Sequence, residues 1–182
     1  MNGMTDTSPR RGMSWRMIGW GGAAALLAVP LVAMNFTSEV NWTAADFVFA
    51  AVLFALVGLG IELTVRASRS WAYRGAAALA VLSAFMIVWA NAAVGMIGSE
   101  DSSYNLWFLG LVPLAIVGAV IARARARGLA LVMLIAGSGQ VLAAAGGYAV
   151  DPRGSVVSMV LAGGWFLSAL LFHVAGREGH RG

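Results

Sequence analysis

The sequence contains neither cysteine nor lysine. Without cysteine there is no disulfide, no thiol nucleophile, no iron–sulfur cluster and no cysteine-ligated zinc. Without lysine there is no Schiff base, which excludes a retinal pigment of rhodopsin type. The two histidines are His173 and His180, too few for a bis-histidine haem inside one subunit, because only His173 falls in an apolar stretch. Phosphate-binding glycine loops and His-Glu-x-x-His helices are also missing. Charge is scarce: 11% of residues are Asp, Glu, Lys or Arg, against about a quarter in a soluble domain.

What remains is apolar. Hydrophobic residues make up 60% of the 182 positions. Charge-free stretches run from Arg16 to Glu39, Asp46 to Glu62, Arg74 to Glu100, Asp101 to Arg123, Arg127 to Asp151 and Arg153 to Arg177. Five of the six hold 21 to 25 residues and the one after Asp46 holds 15. A helix needs about 20 residues to cross about 30 Å of hydrocarbon, and lipid leaves no backbone group unsatisfied. The pattern predicts an all-α, polytopic bundle of six transmembrane helices with short loops. The spans fall near 17–34, 44–63, 75–98, 105–122, 129–150 and 155–175. Residues 1–14 form a polar cytoplasmic tail, 15–176 the six-helix domain and 177–182 a second cytoplasmic tail.

Eleven of the twelve arginines fall on one side of this pattern. They are Arg10, Arg11 and Arg16, then Arg66, Arg69 and Arg74, then Arg123, Arg125 and Arg127, and finally Arg177 and Arg181. Glu39, Asp46, Glu100, Asp101 and Asp151 lie opposite, with Arg153 alone among them. By the positive-inside rule both termini are expected to be cytoplasmic. Basic residues flanking spans meet lipid headgroups, and no nucleic-acid partner is expected. Arg10-Arg11 before an apolar run also resembles a twin-arginine or Sec signal. Ala33-Met34-Asn35 is a poor cleavage site, so the first span is expected to stay uncleaved.

Small residues recur within the spans, at Gly58-Leu59-Gly60, Gly118 with Ala122, Gly137 with Gly139, Gly146-Gly147 and Gly163-Gly164. Such positions let helix backbones approach closely in lipid. Trp15, Trp20 and Trp71 at one boundary, and Trp42, Tyr104 and Trp107 at the other, read as interfacial belts. A weak echo links Ser38-Glu39-Val40-Asn41-Trp42 with Ser99-Glu100 and Asn105-Leu106-Trp107.

Ionisable groups within spans are expensive and are functional candidates by default. Asp46 has the Thr-x-x-acid spacing from Thr43 of a capping box; the alternative is an outward cation or proton site with Glu39, Glu100 and Asp101. Glu62 lies about 24 Å further along the same helix, too far to share a proton or metal with Asp46. Its i, i+4 partner is Arg66, the order favoured for an ion pair; the alternative is a cytoplasmic-side proton acceptor. His173 suits the C-terminal end of the last helix, and metal or porphyrin ligation there needs partners from another chain. Asn91 and Gln140 need hydrogen-bond partners inside the membrane, and interhelical bonds are the usual solution. The alternative is a polar vestibule lined by Asp46, Asn91, Asn105 and Gln140, with Glu39 and Glu100 near it.

Six spans, Gly137-Ser138-Gly139 and His173 bear a partial likeness to rhomboid proteases. Residue 136 is alanine, where that motif needs glycine. Ser138 and His173 would also differ in depth by about 10 Å. No catalytic set is expected, and no cofactor or metal.

Three segments carry a broader resemblance. They are Pro30 to Trp42 followed by Asp46-Phe47, Val88 to Asp101, and Phe166 to Phe172. Together they resemble a group of small bacterial multi-spanning inner-membrane proteins that has no known activity to transfer. The reading is a non-enzymatic accessory or scaffold subunit, with the bilayer and other membrane subunits or further copies of itself as partners. A small-solute or ion transporter is the alternative, and a lipid- or pigment-binding subunit of a respiratory or photosynthetic assembly the third.

Overall fold

The computed structural model describes the backbone of residues 15–178 and side chains from residue 17. The expected tail 1–14, with Arg10 and Arg11, and residues 179–182, with His180 and Arg181, lie outside the described residues, as do the side chains of Trp15 and Arg16; Arg177 and Glu178, expected in the second tail, belong to the last helix.

Among the described residues there are six α-helices and no strand. They are α1 (Trp15–Ala33), α2 (Ala44–Ala67), α3 (Trp71–Ala93), α4 (Leu106–Ile121), α5 (Ala126–Gly147) and α6 (Pro152–Glu178), with a 3-10 turn, Ser103–Asn105, before α4. Five are long and apolar enough to cross a membrane, counting that turn with α4. The apolar stretch of α1, Met17–Ala33, is shorter. Large hydrophobic side chains such as Val120, Leu142 and Val160 face outward, which suggests lipid as the surroundings.

The chain forms two compact units, dividing between Gly58 and Leu59 within α2. In the first, the Trp20 ring covers Gly58, where a Cβ would meet it at 3.0 Å. The Trp42 and Phe47 rings meet edge to face, 5.2 Å between centroids. The predicted capping box forms at the start of α2. Asp46 Oδ2 accepts from the Thr43 N–H at 2.7 Å and from its hydroxyl at 2.8 Å, while the Asp46 N–H points back to Thr43 Oγ1 at 3.4 Å. Two donors at the helix start are thereby satisfied.

In the second unit α6 packs along both α5 and α3, and α4 lies against α5. Trp165, Phe172, Phe108, Ile87 and Ile97 are its largest fully buried apolar side chains. Small residues set the spacing, as expected: a Cβ on Gly118 would lie 2.8 Å from Val132, and one on Gly164 would collide with Ser83 Oγ. The arginine loops gather at one end of this unit. The Arg74 guanidinium donates to the Ser68 and Val65 carbonyls at 2.8 and 3.1 Å, closing the C-terminus of α2. Ser70 caps α3, accepting from the Tyr73 N–H and donating to Glu178. The α4–α5 turn passes through two non-glycine residues at positive φ, Arg123 (50°) and Ala124 (54°). The Tyr73 hydroxyl donates to the Ala124 carbonyl at 3.0 Å and holds the turn against α3.

Several boundaries differ from the expected ones. The third span was expected to run to residue 98, yet α3 stops at Ala93. Gly95 and Gly98 both take φ +76°, which ends the helix while the chain is still apolar. The other helices extend or shift by a few residues, as α2 does to Ala67 and α6 to Glu178.

Candidate functional site

The segment from Val94 to Ser102 is the non-helical connection between α3 and the turn before α4, at the end of the second unit opposite the arginines. Its interior residues are held by two side chains. Asn105, itself buried, accepts with Oδ1 from the Met96 and Ile97 N–H groups at 3.0 and 2.9 Å. Its Nδ2 donates to the Ser99 carbonyl at 2.8 Å. Asp151, just before α6, accepts from the Gly154 N–H at 2.9 Å and the Gly98 N–H at 3.1 Å. These contacts satisfy backbone donors that an interrupted helix leaves over. The N–H groups of Gly154 and then Gly98 also hold the Asp151 carboxyl below its ordinary value of 3.8. Glycine is required at residue 95, since a Cβ there would lie 2.5 Å from the Ser99 carbonyl oxygen. The loop's own side chains, Met96 and Ile97, point into the core, and Ile97 fills the space beside Gly147.

A buried polar seam runs from this clasp along the inner face of α6. Ser155, Ser158, Trp165 and Ser168 recur at helical spacing, and all four are buried. Ser168 donates to the Ala76 carbonyl of α3 at 2.7 Å. The Trp165 indole donates to Gln140 Oε1 at 2.8 Å, and Gln140 Nε2 donates to the Ser158 carbonyl at 2.9 Å. Asn91 Nδ2 donates to the Ile87 carbonyl at 2.7 Å, within its own helix. Its Oδ1 is buried without a partner, and so are the hydroxyls of Ser155 and Ser158.

The structure thus gives each predicted residue a place. Asn105 and Gln140 direct their hydrogen bonds to the protein's own groups, and Asn91 retains a free acceptor. Glu100 is exposed on the loop that Asn105 and Asp151 hold. Asp46 and Glu39 belong to the first unit, where Asp46 caps α2 and the exposed Glu39 donates its backbone N–H to Thr37 Oγ1. Glu62 and Arg66 form the expected ion pair. His173 is exposed near the end of α6, and Ser138 is exposed on α5. Tyr104 donates its hydroxyl to the Ala143 carbonyl at 2.8 Å. Among the described residues no three His, Cys, Asp or Glu side chains are grouped to hold a metal ion.

Three positions of the site are not marked as such by the sequence: Asp151, Ser155 and Ser158. Asp151 enters the sequence pattern only as an outer-side charge, although Asp151-Pro152-Arg153-Gly154 is a helix-start pattern with proline at the first helical position. Ser155 and Ser158 gave no signal of their own, because serine is common in spans and only packing decides which hydroxyls are enclosed.

The chemistry available here is neutral hydrogen bonding in a low-dielectric seam, with one carboxylate fixed at its edge by backbone donors. No family model matches the chain, and neither do any of the curated proteins or solved structures compared with it.

Proposed function

We propose that the protein is a non-enzymatic accessory or scaffold subunit of a bacterial inner membrane, with the arginine-bearing loops and both termini in the cytoplasm. The observation that carries the reading is the use made of the buried polar residues. Asn105, Gln140, Trp165 and Ser168 all direct their hydrogen bonds to the chain's own groups. Such bonds rigidify a bundle and fix its register. The outward faces are almost wholly apolar, suited to lipid and to other membrane helices. The orientation rests on the charge asymmetry of the loops.

Purification in mild detergent followed by native mass spectrometry tests the role. Copies of the chain in a defined oligomer, or a stoichiometric membrane partner, are expected; a lone monomer counts against it. The absence of cysteine makes orientation simple to test. A single cysteine at Arg125 should be closed to an impermeant maleimide added to intact spheroplasts, and one at Glu100 should be labelled. The reverse result overturns the orientation.

A transporter is the second reading, and the free acceptor of Asn91 favours it. Asn91→Leu would then abolish flux in reconstituted vesicles, whereas unchanged flux removes Asn91 from such a path.

A further inference from the structure

We infer that Asn91, Ser155 and Ser158 enclose a water-binding site between α3 and α6. The inference goes beyond the accessory role and does not depend on it.

Register sets the three groups at one level of the α3–α6 pair. The helices run antiparallel, with the Tyr73 ring on Phe172 at 5.2 Å between centroids, Ala76 bonded to Ser168, and Ser83 against Gly164. Two further turns bring Asn91 level with Ser155 and Ile87 level with Ser158. The Met96 carbonyl, 2.6 Å from where a Gly154 Cβ would be, shows that the segment after α3 still lies against α6 beyond this point. Asn91 is 6% exposed, and Ser155 and Ser158 are 0% exposed. Asn91 Oδ1 and both hydroxyl oxygens lack partners and are not bonded to one another. Gln140 of α5, itself fully buried, donates to the Ser158 carbonyl.

Three enclosed, unsatisfied oxygens on facing helices are costly when dry. Water answers their chemistry. It donates to Asn91 Oδ1, donates to one serine oxygen and accepts from the other hydroxyl, the three bonds typical of a buried water. An ion fits less well. None of the three groups is ionised, and Asp151, the nearest acid along the chain, has its two oxygens on Gly154 and Gly98. A dehydrated cation would therefore lack a counter-charge. An anion would face Asn91 Oδ1, because Nδ2 is committed to the Ile87 carbonyl and reversing the amide would set oxygen against oxygen. The first-turn donors of α6 are also taken: Gly154 N–H by the Asp151 carboxylate and Ser155 N–H by the Asp151 carbonyl.

The sign of a stability change tests the site in the full-length protein in nanodiscs. With water bound, Ser155→Ala strips the water of a partner and lowers Tm by about 2–4 °C. In a dry seam the same change removes an orphaned hydroxyl, and Tm stays level or rises; that result overturns the inference. Ser158→Ala should behave alike, and the double variant should lose less than the sum of the two. Strict additivity would mean that the hydroxyls share no ligand. Exchanging sodium for N-methylglucamine, and chloride for gluconate, should leave Tm unchanged. An ion-dependent Tm that Ser155→Ala abolishes would assign the site to an ion and overturn water.

Discussion

The Trp165 indole N–H donates to the Gln140 side-chain oxygen at 2.8 Å, with both residues fully buried between α5 and α6. Gln140 is thereby tied at both ends of its amide, to an indole and to the Ser158 carbonyl. Gln140→Leu is expected to destabilise the fold by about 0.6–2 kcal/mol, the range for interhelical hydrogen bonds in lipid. Adding Trp165→Phe removes the stranded donor, so the double variant should lose less than the two singles together. Unfolding measured in mixed micelles reads this cycle, and additive losses would show that the bond contributes nothing.

Asn105 decides the fate of the Val94–Ser102 loop. Asn105→Ala leaves the Met96 and Ile97 N–H groups and the Ser99 carbonyl without their side-chain partner. Hydrogen exchange at Met96 and Ile97 should accelerate sharply. Asn105→Asp keeps the acceptor and loses the donor, so it should retain most of the protection at those two amides. Equal exchange in both variants would mean that the carbonyl oxygen of Asn105 does not hold the loop.

Asp151 makes this clasp sensitive to acid. The N–H groups of Gly154 and Gly98 lower its folded-state pKa, so its stabilisation is complete above the ordinary value and is lost as pH falls through the folded one. The Tm gap between the wild-type protein and Asp151→Asn should be constant above about pH 5 and should close below about pH 4. A gap that widens on acidification would contradict the assignment.

Ala124 sits at φ 54° in the α4–α5 turn. Left-handed backbone costs an L-residue about 1–2 kcal/mol, and glycine escapes that cost at the expense of some chain entropy. Ala124→Gly should therefore raise stability by about 0.5–1 kcal/mol, read as a higher Tm, while Tyr73 keeps its bond to the residue's carbonyl. A lower Tm would mean that the turn relaxes without glycine.

Much of the fold is legible before any coordinates. Six helices follow from six charge-free stretches, five of them of membrane-crossing length. The Thr43–Asp46 cap and the Glu62–Arg66 pair follow from spacing alone, since both are local and the helix repeat places their atoms. The end of α3 is not legible in the same way. Residues 94–98 are as apolar as the helix before them, so hydropathy carries the span through to Gly98. The two glycines hint at a break, but the break holds only because Asn105 and Asp151 arrive from elsewhere in the chain to take up its donors. The echo between the two connecting segments shows the same limit. Asn41 and Asn105 hold like positions in it, yet Asn41 is exposed and Asn105 buried.

The sequence by itself determined the helices, the local caps and pairs, and the gathering of arginine in alternate loops, because each depends on composition or on neighbours within one turn. Tertiary structure alone decided which polar side chains are bonded, which are enclosed without a partner, and where α3 gives way to a loop. The physical reason is distance along the chain. Ser168 meets Ala76, and Asp151 meets Gly98, only after separate helices have packed, and a hydrogen bond of about 3 Å is fixed by that packing rather than by any local pattern.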